Sequence, residues 1–425
     1  MENEQIQQRR AKGDQQVMAT FFLIIIYLAF ISLGLPDSLL GAAWPVMQID
    51  VKAPLAAAGI VSMTIAGGTI LSSLASGTVI KRLGTGKVTF ISCLMTASAL
   101  LGFSLAPSLF WLILLAIPLG LGAGSVDAAL NNYVATHYQA HHMSWLHCFW
   151  GVGATIGPMI MARFIAGQNA WRSGYLTISI IQFALTVLLF FTLPLWNRTE
   201  NPGANCQAAS NEVPDRKSDL SPGTNQTPKL LQLNGVKPAL IAFLFYCGTE
   251  ATLGLWGSSF LVNIKGLPAA TAAGWVSLYY AGITVGRLIT GFVTMKLTNV
   301  TLIRTGQIIA LAGAVFLLLP LPAFCSLLGF ILVGLGCAPI FPCMLHETPT
   351  RFGQEHSQTI MGYQMAVAYT GSTFLPPLLG LMASQATMLI LPFSLAFFII
   401  VMLIGSEKVN AIMRGKNKTS REQTL

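Results

Sequence analysis

Apolar runs long enough to cross a bilayer recur along the whole chain, and no other feature constrains its fold as tightly. A spanning helix needs about 20 residues. Such runs lie at 18–46, 54–80, 86–106, 108–135, 144–167 and 172–195, and again at 236–262, 269–296, 301–321, 323–346, 357–383 and 386–405. In hydrocarbon every backbone polar group must be satisfied within the protein, so these runs are expected to be helices. Charged residues make up only 9% of the chain, against about 25% in soluble domains, which excludes a soluble globular fold. The expected fold is an all-α integral membrane protein, with twelve transmembrane helices in two six-helix bundles.

The net charge of +9 could suggest a nucleic-acid partner, but its distribution points to membrane orientation. If the N-terminus is inside, 19 of the 24 Lys and Arg fall on inner segments. Lys52, Arg163, Arg172 and Lys265 lie near outer ends, and Arg287 lies within a span. The positive-inside rule then places both termini in the cytoplasm, and the bacterial inner membrane is the expected location. Residues 1–16 carry Arg9, Arg10 and Lys12 and lead into a span too long for a signal-peptide core, so an uncleaved first helix is expected. The seven cysteines have neither disulfide nor metal spacing. No metal, cofactor or nucleic-acid partner is expected, and the chain is read as a monomer in a lipid bilayer. The sequons at Asn197, Asn225, Asn299 and Asn417 all fall on the inner side, away from glycosylation.

The one long polar stretch contains NRTENPGANCQAASNEVPDRKSDLSPGTNQTPK. It is too poor in apolar residues to bury a core and is expected to be a flexible cytoplasmic linker. It divides the chain into a bundle with its N-tail at 1–195, a linker at 196–235, a second bundle at 236–405 and a C-tail at 406–425. The bundles show traces of a repeat. AGGTILSSLASGTVIKRLG in the second span and AGITVGRLITGFVTMKLT in the eighth align Gly68 with Gly282, Gly77 with Gly291 and Arg82 with Lys296. A parallel repeat of this kind suits a transporter whose halves rock about a central site.

Ionisable residues at membrane depth are costly, and by default they mark function. Three acids qualify: Asp37, Asp127 and Glu250. Asp37 stands in GLPDSLLGAAWPVM with no Lys or Arg within twelve residues on either side. Arg287 is the only basic candidate within the spans, so no salt-bridge partner is evident for any of the three. A carboxylate withdrawn from water can take up and release a proton near neutral pH, which suits proton-coupled transport. In GLGAGSVDAALNNYVATHY, Asn131 follows Asp127 by four residues on one helix face, with Asn132 beside it. This acceptor and donor pair fits a polyhydroxylated solute, and interhelical hydrogen bonding fits it as well. In FYCGTEATLGLWGSSFL, Tyr246 and Glu250 are again four apart. Trp256 could cover the apolar face of a sugar ring or anchor at an interface. Gln364 in GYQMAVAYTGSTFLPP is a further polar candidate, equally suited to helix packing. Of the histidines in THYQAHHMSWLHCFWG, His137, His141 and His142 fall in an expected inner loop, and His147 lies inside the fifth span.

With twelve spans, a central linker and parallel halves, the chain resembles the major facilitator superfamily. Its loop GTVIKRLGTGK is similar to the superfamily's G-x-x-x-D-R-x-G-R-K signature at Gly77, Arg82, Gly84 and Lys87, with Lys81 in place of the acid. The resemblance implies a loop that gates conformational change. Within the superfamily, PDSLLGAAWP, DAALN, WLHCFWGVGA and APIFPCM resemble the fucose permease-like sugar:proton symporters. That implies Asp127 as proton carrier, Asp37 as its partner, and Asn131, His147 and Glu250 as solute contacts. Gly34 and His147 replace that group's asparagine and glutamine, so a related hexose or another small polar solute is expected rather than fucose. Sodium could serve in place of protons. A rival reading is a proton-driven exporter of drugs or metabolites, since GVGATIGPMI resembles the G-x-x-x-G-P of antiporters. No nucleophile–base set or phosphate loop suggests an enzyme.

Overall fold

In the computed structural model the described residues are 2–138, 140–168, 170–200 and 231–422, and among them all regular structure is helical. Twelve helices are long and apolar enough to span a membrane: Thr20–Asp50, Ala57–Leu83, Thr85–Leu105, Leu109–Val134, Trp145–Gly167, Trp171–Trp196, Val236–Asn263, Ala269–Val293, Asn299–Leu318, Ala323–His346, Thr359–Gln385 and Ile390–Gly415. The expected linker at 196–235 lies mostly outside the described residues, as do the side chains of His137 and His141. The largest difference in boundaries is in the twelfth span, whose helix continues well beyond 405. Its charged extension is held because Arg304 donates to both oxygens of Glu407, at 2.7 and 2.6 Å. Asn410 beyond it accepts from Arg351 at 3.1 Å.

The packing repeats between halves. The second span lies on the fourth, the first on the fifth and the third on the sixth, and correspondingly the eighth lies on the tenth, the seventh on the eleventh and the ninth on the twelfth. The aligned glycines explain part of this. A side chain at Gly68 would press on Leu121 and Gly120 of the fourth span, and one at Gly282 would press on Ile331 and Gly334 of the tenth. Small residues let these backbones approach closely. Their partners Gly77 and Gly291 both face open space.

The halves meet through the fifth span against the eighth and the second against the eleventh, with the first against the seventh between them. Ser277 donates to the Thr155 carbonyl at 2.7 Å and Ser258 to the Ala42 carbonyl at 3.3 Å. Gly41 lies on Gly254, and Gly59 on Pro377. The contacts at Gly41, Ala42 and Gly59 lie toward the end where the first span finishes and the second begins. At the other end, Leu74, Ala75, Gly77, Thr78 and Val79 are all exposed, more than a single lipid-facing stripe would account for. The space between the halves is thus more exposed toward the end bearing Arg82 and Lys87.

The first span is broken at Ser38, where helix Glu2–Asp37 gives way to Leu39–Asp50. Pro36 has no N–H to give the Ser32 carbonyl one turn earlier. Gln182 of the sixth span supplies the missing donor at 2.6 Å, and its own carbonyl accepts from Thr96 at 2.7 Å. Leaving buried polar groups unpaired costs about 1–3 kcal/mol. Gln182→Leu is therefore expected to lower the thermal unfolding midpoint in detergent. An unchanged midpoint would show that the Ser32 carbonyl needs no such donor.

Candidate functional site

From Ser32 to Pro45 every residue is buried except Asp37. The break that follows Pro36 falls one residue past the carboxylate, and the side chain opens onto the central space. It is not bare there: Trp150 Nε1 of the fifth span donates to Asp37 Oδ2 at 2.7 Å. Asp127 of the fourth span is near enough to act on Asp37 electrostatically. Asp127 accepts from Asn131 Nδ2 at 2.9 Å, so the four-residue spacing does place both on one face. From the other half, Tyr369 of the eleventh span comes close to Ser73 and Asp127. Among the described residues neither Asp37 nor Asp127 has a cation at ion-pair distance.

Glu250 differs, and the expectation of three unneutralised acids fails for it. Arg287 Nη2 of the eighth span lies 3.5 Å from Glu250 Oε1, with the two side chains 15% and 19% exposed. Tyr246 donates its hydroxyl to the other carboxylate oxygen, and Tyr279 donates to the Glu250 backbone carbonyl at 3.1 Å. Sequence spacing shows Tyr246 with Glu250, but Arg287 belongs to a different span and is brought in only by packing.

The Arg287 guanidinium stands 5.4 Å from the centre of the Trp150 ring, and Tyr280 packs edge-on to the same ring at 6.4 Å. Asp37, Trp150, Arg287, Glu250 and Tyr246 thus form one line across the middle of the molecule, starting in one half and ending in the other. Trp150 is the member that sequence reasoning passed over. The available signal was its place three residues after His147, in the same polar-aromatic stretch.

The other candidates lie beside this line or behind it. The His147 ring packs edge-on against Phe30 at 5.9 Å, and Asn132 is exposed beside Asn131. Trp256 is fully buried, donating to the Pro376 carbonyl at 2.7 Å beneath Gly380. Gln364 is buried and accepts from Thr348 at 3.0 Å. These last two join helices of the second half rather than face the central space. The expected loop between the second and third spans is a single residue, Gly84: Gly77 and Arg82 belong to the helix before it and Lys87 to the helix after, with Arg82 and Lys87 exposed. Gly84 there takes φ 80°, a backbone open to glycine and strained for other residues.

Gly34 stands where the resembling group has asparagine, and a side chain at Gly34 would overlap the Trp150 carbonyl oxygen. Gly153 and Gly157, the antiporter-like pair, lie against the Ile31 and Leu35 carbonyls of the first span. Packing between two helices accounts for all three glycines.

Against known families, the Major Facilitator Superfamily profile matches residues 26–377. The chain belongs to the major facilitator superfamily. It is a multi-pass membrane transporter and not an enzyme. This facilitator is 28% identical over 295 residues to the glucose/mannose transporter GlcP of Bacillus subtilis (strain 168), covering 68% of this chain and 69% of that one. Its fold matches a mutant form of the nucleoside transporter NupG with a TM-score of 0.70 at 14% identity, covering 91% of this chain and 98% of the other. A bacterial homologue of the human lysosomal transporter Spinster, inward-facing and unoccupied, matches with a TM-score of 0.70 at 11% identity, covering 93% and 97%. At these identities the two structures speak to fold alone.

Proposed function

We propose that this facilitator takes up a hexose-like sugar or similar small polar solute together with protons, by alternating access across a bacterial cytoplasmic membrane. Both termini and the more exposed end of the central space would then face the cytoplasm, in keeping with the clustering of Lys and Arg there. The observation that carries the reading is Asp37: an exposed carboxylate in an otherwise buried run, without a cation at ion-pair distance among the described residues and close to a second such acid. A carboxylate kept in mid-membrane without a counter-ion is costly as an anion, so taking up a proton eases its burial when the halves close. The relation to a glucose/mannose transporter and the donor and acceptor groups at Asp127 and Asn131 support a polyhydroxylated solute.

In this scheme Asp37 and Asp127 act together, with Asp127 the proton carrier and Asp37 its partner in protonation and in binding. Outward-facing protonation permits closure around the solute. Inward-facing release of the proton restores charge, and the solute follows. Asn131, Asn132, His147, Tyr246 and Glu250 shape the solute site, while Trp256 and Gln364 brace the helices behind it. Gly77, Arg82, Gly84 and Lys87 mark the junction of the second and third spans, whose contacts would change as the halves rock.

The test is uptake of a labelled hexose panel into proteoliposomes under an imposed proton gradient, a sodium gradient or none. Accumulation of one sugar with the proton gradient, abolished by a protonophore, supports the reading. Accumulation driven only by sodium replaces the ion. No sugar uptake by folded protein under any gradient rejects the sugar, and it favours an exporter or a different solute.

A further inference from the structure

We infer that Trp150 is a positioning residue for ion coupling: it links Asp37 of the first half to the Arg287–Glu250 pair of the second, so that the charge on Asp37 is felt across the interface on which the halves rock. The inference rests on the proposed proton coupling and adds to it the physical route between the two halves.

The geometry is specific to an indole. The ring N–H meets Asp37 Oδ2 at 2.7 Å while the ring presents its π system to Arg287 at 5.4 Å. Both contacts depend on charge. A donor bound to a carboxylate favours the ionised form, and a guanidinium near an aromatic ring is held by the ring quadrupole. Trp150 lies on the fifth span and Arg287 on the eighth, the pair of spans packed across the interface. Glu250 holds Arg287 loosely at 3.5 Å, with Tyr246 on its other oxygen. When Asp37 is ionised, the indole is fixed on one edge by the carboxylate and Arg287 is shared between ring and Glu250. When Asp37 takes a proton, its oxygen becomes a poorer acceptor, the indole is released, and Arg287 is left to Glu250 alone. Protonation in one half thereby loosens a contact to the other.

The charged and titratable groups around this bridge come from each neighbouring element. They are Asp127 from the fourth span, His147 and Cys148 from the fifth, Glu250, Tyr246 and Cys247 from the seventh, Arg287, Tyr279 and Tyr280 from the eighth, Cys337 from the tenth and Tyr369 from the eleventh. Of these, Arg287 and Glu250 are the charged pair that meets the Trp150 ring from the other half.

The experiment measures proton-driven uptake against external pH in proteoliposomes, together with solute exchange without a gradient. Trp150→Phe keeps a ring for Arg287 and removes the N–H. It is expected to move the midpoint of the pH profile upward by about one unit, since a bond to a charged group contributes on that scale. Accumulation should fall relative to exchange. Glu250→Gln frees Arg287 from its counter-ion, strengthens the positive field at the indole and moves the midpoint downward. In the Trp150→Phe background that downward shift should shrink, as coupled residues are non-additive. A lower rate with an unmoved midpoint in Trp150→Phe reduces the tryptophan to packing and overturns the inference. If Trp150→Phe does not fold, Glu250→Gln alone decides, and an unmoved midpoint there is equally fatal. A wild type without proton dependence removes the coupling reading and this inference together, whereas a proton-dependent wild type with unmoved variants overturns this inference alone.

Discussion

Asp127→Asn is expected to abolish gradient-driven accumulation while leaving exchange of solute across the membrane intact. A gradient of one pH unit stores about 1.4 kcal/mol per proton, enough for about tenfold accumulation in a one-to-one symporter. The variant should bring that ratio to about one. The carboxamide keeps the shape of the side chain and can still bond Asn131, which sits 2.9 Å away, so solute binding and rocking survive. What is lost is the ability to carry a proton. Labelled counterflow and proton-driven uptake, measured on the same vesicles, separate the two. Accumulation that persists in Asp127→Asn would assign the proton to another group, and Asp37 would be the next to replace.

The second large effect concerns stability. Gly34→Ala is expected to cost about 1–3 kcal/mol, the range for overpacking a tightly packed site, and to reduce the yield of folded protein sharply. The added methyl would overlap the Trp150 carbonyl oxygen and crowd the Ala154 backbone N. Backbone cannot rotate aside as a side chain can, so the first and fifth spans would have to separate, disturbing the Asp37–Trp150 bond as well. Gly77→Ala is the matched control. Open space surrounds that position, and alanine in a helix is favoured over glycine by about 0.5–1 kcal/mol. Thermal unfolding of both variants in detergent checks the pair. Equal behaviour would mean that the first and fifth spans are not as close as the structure places them.

Asp37 shows how much of the site could be read from sequence. A lone carboxylate in an apolar run announces itself, because hydrocarbon tolerates it only beside water or a partner. The pairing of Asp127 with Asn131, and of Tyr246 with Glu250, follows from the helical repeat. Arg287 was visible as the one basic residue well inside a span rather than near its ends, but its partner was not, since Glu250 lies 37 positions earlier in another helix. Trp256 and Gln364 looked like cavity residues because polar and aromatic groups inside spans attract that reading. Their burial against Pro376 and Thr348 turns on which way each helix faces, and a span polar at only a few points does not fix its own rotation.

The sequence by itself determined the number of spans, the helical class, the parallel relation of the two halves and the acids at membrane depth. Those properties follow from local chemistry: the length of an apolar run, the spacing of glycines and the cost of charge in hydrocarbon. Only the tertiary structure decided that Asp37 opens onto the central space, that Arg287 neutralises Glu250 and that Trp150 stands between them. Each depends on how helices distant in sequence are rotated and brought together, and that is settled by glycine-to-backbone contacts such as Gly34 on Trp150 and Gly153 on Ile31.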